Sequence, residues 1–192
     1  MFSMKDTERY ITEYCVCAGT KPPVEAASEL MESDMLRTHG PEHHYMTAAV
    51  LCAAWYALRG EDARVHLEKL AERCRRIPPA VCGYYGVCGV SLAAGAFLSE
   101  ALEVNYLSGE SWRILNLFTA RVQQAVALAG ESGPRCCKRS SFAALQAAVD
   151  ALRELMGVEL PAAQPVKCRF CGKNESCLKN GCSFYPGRGE SV

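Results

Sequence analysis

An all-α fold is predicted, with about seven helices in a globular body and a small cysteine-rich, metal-binding knuckle at the C-terminus. Three observations predict it. Apolar residues recur at three- and four-residue spacing from Thr7 to Met156. No run of alternating β-branched residues is long enough for a sheet. Four cysteines crowd a C-terminal segment too short for an apolar core of its own. In chain order, Thr7–Cys17 is amphipathic and is ended by Gly19 and Pro22-Pro23, and Val24–Met31 is a second, short helix. Gly40-Pro41 opens an alanine-rich helix over Glu42–Arg59, with Pro41 suited to the first helical position and Gly60 closing the end. Glu61–Arg76 follows with Val65, Leu67, Leu70 and Cys74 inward and Glu68, Lys69, Glu72 and Arg73 outward. Pro78-Pro79 breaks it, and Val81–Val104 resumes as a helix of small residues. Glu110–Leu128 is the next helix, closed by Gly130. Ser140–Met156 is the last, with Ser140 or Ser141 as its cap, an apolar stripe of Phe142, Leu145, Val149, Leu152 and Leu155, and Gly157 at its end. Residues 1–160 thus form a helical domain, and 161–192 a linker (Pro161 to Pro165) and a four-cysteine tail.

The chain has 192 residues, 49% apolar and 22% charged, which suits one globular body with a short appendage and excludes wholesale disorder. Lys plus Arg number 21 and Asp plus Glu 21, a neutral balance that argues against nucleic acid as a partner. Twelve cysteines are the abnormal count. Disulfides need an export route. Met1 to Thr20 carries Lys5, Asp6, Glu8, Arg9 and Glu13 and has no apolar run of signal length. The most membrane-like stretch, Val81 to Leu98, is interrupted by Gly83, Gly86, Gly89 and Gly95. The expectation is therefore a cytoplasmic protein without a membrane partner, whose thiols stay reduced and serve metal or cluster ligation.

In the tail, Cys168, Cys171, Cys177 and Cys182 have the spacing C-x2-C-x5-C-x4-C. Four thiolates close a tetrahedron around zinc, and C-x2-C brings two sulfurs of one tight turn to the same ion. The spacing resembles a zinc knuckle with Cys in place of its His. Zinc is the first choice and an iron–sulfur cluster the second, because ligand softness alone does not separate them. Such a knuckle could present Phe170, Phe184, Tyr185, Lys173, Lys179 and Arg188 to single-stranded nucleic acid. The reading preferred on charge is that the metal folds the tail so that it docks on the helical body.

Three groups in the body invite chemistry. His39-Gly-Pro-Glu-His43-His44 places three of the chain's four histidines at one helix start. Neutral imidazole is a common metal ligand, and the positive helix end opposes its protonation. In Cys82-Gly-Tyr-Tyr-Gly-Val-Cys88-Gly, three glycines within a helical pattern point to an irregular loop or to close approach of the backbone to a neighbour, a cofactor or a packed helix. In Arg135-Cys136-Cys137-Lys138-Arg139, the cations would lower thiol pKa values and hold thiolates or an anion. Cys15, Cys17, Cys52 and Cys74 are read as small core residues.

The stretches His39 to His44, Cys82 to Gly89, Trp112 to Thr119, Gly133 to Ser141 and Cys168 to Cys182 resemble an uncharacterised prokaryotic family of helical domains. That family is sometimes fused to, or grouped with, S-adenosylmethionine-dependent methyltransferases. The resemblance implies no activity, and the chain has no glycine-rich nucleotide loop after a strand. A fainter similarity, to iron–sulfur serine dehydratases and cysteine desulfidases, rests on Cys88-Gly followed by small residues, with a different cysteine spacing.

Two classes of function stay open. As an enzyme, Cys82, Cys88, Cys136 and Cys137 would converge on a [4Fe-4S] cluster or second metal ion. His39, His43 or His44 would complete or face it, and Arg135, Lys138 and Arg139 would hold a small anionic molecule. As a binding module, the body would meet a partner protein, with the zinc tail as a docking element. A thiol redox switch is a variant of the second class, and homo-oligomerisation is left open.

Overall fold

The computed structural model of the chain describes residues 3–131 and 133–188. Among them are eight α-helices and no strand: α1 Met4–Ala18, α2 Pro23–Leu30, α3 Glu42–Leu58, α4 Arg64–Arg75, α5 Val81–Tyr85, α6 Gly89–Ala101, α7 Glu110–Leu128 and α8 Cys137–Met156. None is long and apolar enough to cross a membrane.

The alanine-rich α3 is the axis. Every residue from Glu42 to Tyr56 is buried, as expected for a helix apolar on all sides. Its small side chains (Ala48, Ala49, Ala53, Ala54) let α1, α2, α4, α6 and α8 approach it directly. Helix α7 lies outermost, packed on α6 and α8, and buries only Phe118 and Val122 fully. At Gly95 of α6, an added Cβ would fall 2.7 Å from Thr119 Oγ1, so this glycine serves close packing of α6 on α7.

Four expectations are corrected. Helix α1 starts three residues early because Ser3 and Asp6 form a reciprocal cap, with the Asp6 amide donating to Ser3 Oγ at 3.2 Å and the Ser3 amide to the Asp6 carboxylate at 3.3 Å. The segment Val81–Val104 is two helices, not one. Gly86 at φ +69° ends α5, and Cys88 in extended conformation starts α6. Helix α8 begins at Cys137, so Ser140 and Ser141 are buried in its first turns and do not cap it. Val65 and Cys17 are exposed, while Cys15, Cys52 and Cys74 are core.

After the extended linker, the tail lies against the body. It makes two 3₁₀ turns, Cys171–Lys173 and Lys179–Gly181. Gly130 and Cys182 form an antiparallel bridge. The Glu131 amide donates to the Gly181 carbonyl at 2.9 Å, and the Ser183 amide to the Ala129 carbonyl at 3.1 Å. Phe170 and Phe184 are buried on Phe142 of α8, with ring centroids 6.4 and 5.5 Å away. Two of the aromatics that a nucleic-acid knuckle would expose are thus spent on docking the tail.

Candidate functional site

Two cavities lie on either side of the α8 N-terminus, and the adjacent cysteines Cys136 and Cys137 face different ones. Successive residues around a helix start point about 100° apart, so neighbours in sequence need not share a site. This divides the group that the sequence reading had placed together.

The body cavity holds about 260 Å³. Cys82 from α5, Cys88 from the α5–α6 turn, Cys137 from α8 and His44 from α3 line it, together with Arg135, Arg139, Ser140 and Gln123. Arg135 stands between two thiols, its guanidinium nitrogen 3.9 Å from both Cys82 Sγ and Cys137 Sγ. The Cys88 amide donates to Gln123 Oε1 at 3.0 Å, which ties the turn to α7. The Ser140 hydroxyl lies beside the Cys88 sulfur. Burial pushes the Cys88 and Cys137 thiols up, and for Cys137 it outweighs Arg135. The sequence had suggested the opposite direction, because cations are visible there and desolvation is not.

Gly89 explains part of the glycine excess. A Cβ there would sit 2.1 Å from His44 Nε2, so the α6 backbone runs directly over the imidazole. Gly89→Ala is expected to cost about 1–3 kcal/mol through overpacking and to turn His44 out of place. Urea unfolding checks the first effect. A variant as stable as wild type would show that His44 does not lie under this backbone.

The three histidines do not act as one group. His44 lines the cavity; His39 and His43 do not. His43 is fully buried, and its Nε2 lies 3.0 Å from the Arg37 carbonyl, which can only accept, so Nε2 carries the proton. The Nδ1 atoms of His39, His43 and His44 are all buried without a partner. Burial holds both His43 and His44 at about 4, with Lys138 adding to the effect on His43 and Arg135 to that on His44. These two imidazoles, His43 and His44, are neutral at pH 7, and the main cause is desolvation, not the helix end.

Glu42, the fourth residue of the histidine motif, is a scaffold residue the sequence reading passed over. It is 3% exposed and grips Arg37 with both oxygens, at 2.9 Å to Nε and 2.8 Å to the terminal nitrogen. Gly40 leaves room for that carboxylate: a Cβ there would lie 2.1 Å from it. Gln123 was missed as well. Thirty-five residues separate it from Cys88, and no local pattern marks it.

The tail cavity is of another kind. It holds about 20 Å³, room for one water-sized occupant. Cys168, Cys171, Cys177 and Cys182 line it, and Cys136 joins them from the body, with Lys138, Arg139, Phe142 and Phe170. The Phe170 amide points at Cys168 Sγ and the Lys179 amide at Cys177 Sγ, each at 3.4 Å. Lys138, expected at an anion site in the body, is instead 2% exposed at this cavity, bonded to the Met31 carbonyl at 3.2 Å and 4.4 Å above the Phe170 ring. As they stand, no three Cys, His, Asp or Glu side chains among the described residues converge closely enough to hold a metal ion.

No curated protein and no solved structure matches the chain. One family model does: that of a family of unknown function, DUF5714, over residues 11–185, a match that takes in α3, both cavities and the tail cysteines. The chain belongs to the DUF5714 family.

Proposed function

We propose that the chain is a metal-dependent protein with two sites of different character. In the body cavity, Cys82, Cys88 and Cys137 would hold an iron–sulfur cluster faced by His44, or together with His44 a metal ion, and Arg135 and Arg139 would receive a small anionic substrate. The observation that carries this reading is that three thiols and an imidazole from four separate segments line one cavity together with Arg135. Its size suits a small ligand, where the tail cavity suits only an ion. A cluster held by these three thiolates would keep one open position and would supply a Lewis acid there. Burial disfavours a bare thiolate at Cys88 and Cys137, whereas ligation deprotonates a thiol outright. In the tail, the small volume favours one zinc ion over a cluster, and the amides aimed at Cys168 and Cys177 would stabilise ligating thiolates in either case.

The test is anaerobic purification followed by iron, sulfide and zinc analysis. Brown protein with iron and sulfide is expected, and Cys137→Ser should lose the iron while keeping the tail's zinc. Iron content unchanged in a folded Cys137→Ser protein would remove the assignment.

A second reading is favoured by a different observation. Tyr84 and Tyr85, on the short helix that carries Cys82, are 80% and 73% exposed, and Tyr106, Leu107 and Trp112 are exposed as well. A zinc-binding accessory protein that presents these side chains to a partner protein would account for them. Colourless protein with zinc and no iron would favour this reading over the enzyme.

A further inference from the structure

We propose that Cys136 is a ligand of the tail's metal ion, so that the ion clips the tail to the start of α8. The proposal rests on the reading that the tail binds zinc, and puts a ligand from the helical body in place of one of the four tail thiols, since structural zinc takes four ligands.

Five thiols, not four, line the tail cavity, and Cys136 is the one contributed by the body. It stands at the N-cap position of α8 in an extended conformation, φ −134° and ψ 113°, and lines the tail cavity, whereas Cys137 lines the body cavity. The cavity admits one small occupant, and Cys136 meets the same space as Cys168, Cys171, Cys177 and Cys182. Lys138 supplies the second observation. Its side chain is buried at this cavity, where its ammonium meets the Met31 carbonyl and the Phe170 ring but, among the described residues, no carboxylate within ion-pair distance. A buried cation is stable only when compensated. Four thiolates around a divalent ion carry a net charge of about −2, which would compensate it. Each thiol that ligates gives its proton to solvent.

The linkage also makes mechanical sense. The tail reaches the body through a linker with no helix or strand, and its own 3₁₀ turns bury no residue. A ligand on α8 would give the ion a covalently anchored foothold beside Phe142, where the tail aromatics dock.

Two measurements on the full-length chain test this. The first is alkylation of the zinc-loaded wild type with iodoacetamide, read residue by residue by mass spectrometry, with exposed Cys17 as the reactive reference. Cys136 should be protected together with tail cysteines and become reactive after chelation. Equal labelling of Cys136 with and without zinc would overturn the proposal. The second is metal affinity, with zinc and with cobalt(II) as a spectroscopic probe. Cys136→Ser should weaken binding at least about tenfold and lower the sulfur-to-cobalt charge-transfer band. Cys136→His should restore binding with a shifted band, which a purely structural role for the residue would not produce. Wild type and Cys136→Ser binding zinc equally would overturn the Cys136 assignment and leave the tail site standing. A wild type without tail zinc would overturn both.

Discussion

Phe142→Ala is expected to lower stability by about 3–5 kcal/mol, a large part of the roughly 5–15 kcal/mol available to a domain of this kind. Phe142 is fully buried on α8, the helix that borders α7 on one side and the tail on the other. Its ring meets Phe170 and Phe184 and forms a wall of the tail cavity. Removing it leaves a void at the one place where body and tail share an apolar cluster, and the tail is too short to collapse around it. The urea midpoint should fall, and trypsin should gain access to Lys167 and Arg169. Phe142→Leu should cost less, because it keeps most of the volume. A Phe142→Ala protein that unfolds at the wild-type urea concentration, with its tail still resistant to trypsin, would show that this cluster does not join the two parts.

Acidification should destabilise the fold before the carboxylates titrate. His43 is fully buried and its pKa is about 4 in the folded chain, against an ordinary value of 6.5. A group whose folded pKa is depressed binds more protons unfolded than folded. Its contribution is therefore complete above pH 6.5 and is lost as pH falls toward 4 and below. The slope is about 1.4 kcal/mol per pH unit within that window, so His43 alone amounts to roughly 3 kcal/mol. The physical reason lies in its two nitrogens. Nε2–H is already committed to the Arg37 carbonyl, and protonating Nδ1 would bury a cation with no acceptor, near Lys138. Urea midpoints should change little between about pH 7.5 and 6.5 and fall progressively from about pH 6.5 to 5.0. His43→Gln, which cannot titrate, should reduce that slope, leaving the part due to His44. An identical slope in wild type and His43→Gln would remove His43 as the source.

The eight helices overlap seven segments of helical periodicity in the sequence, α5 and α6 sharing one, because their apolar faces repeat within a few residues and their ends carry local signals such as Pro41 and Gly157. The break between α5 and α6 was only half legible. The glycines announced an irregularity, but what runs close to Gly89 is His44, a residue 45 positions earlier, and no local rule connects them. The candidate sites divide in the same way. The tail's spacing marked its cysteines as a set, since a short segment must bring them together. The grouping of Cys136 with Cys137 followed from adjacency and from the surrounding cations.

What the sequence by itself determined is what depends on near neighbours: an all-α class, the alanine-rich central helix, the linker, and which cysteines and histidines depart from helical or core composition. Only the tertiary structure decided which of those departures meet. The helical start of α8 sends Cys136 to an ion-sized cavity with the tail and Cys137 to a larger one with Cys82, Cys88 and His44. It buries Lys138 at the tail cavity and not at the body's anion site where it was expected, and it sets desolvation against Arg135 at Cys137. The reason is that local propensity acts through a few bonds, whereas burial and the direction of a side chain around a helix are fixed only when α3, α6, α8 and the tail are packed against one another.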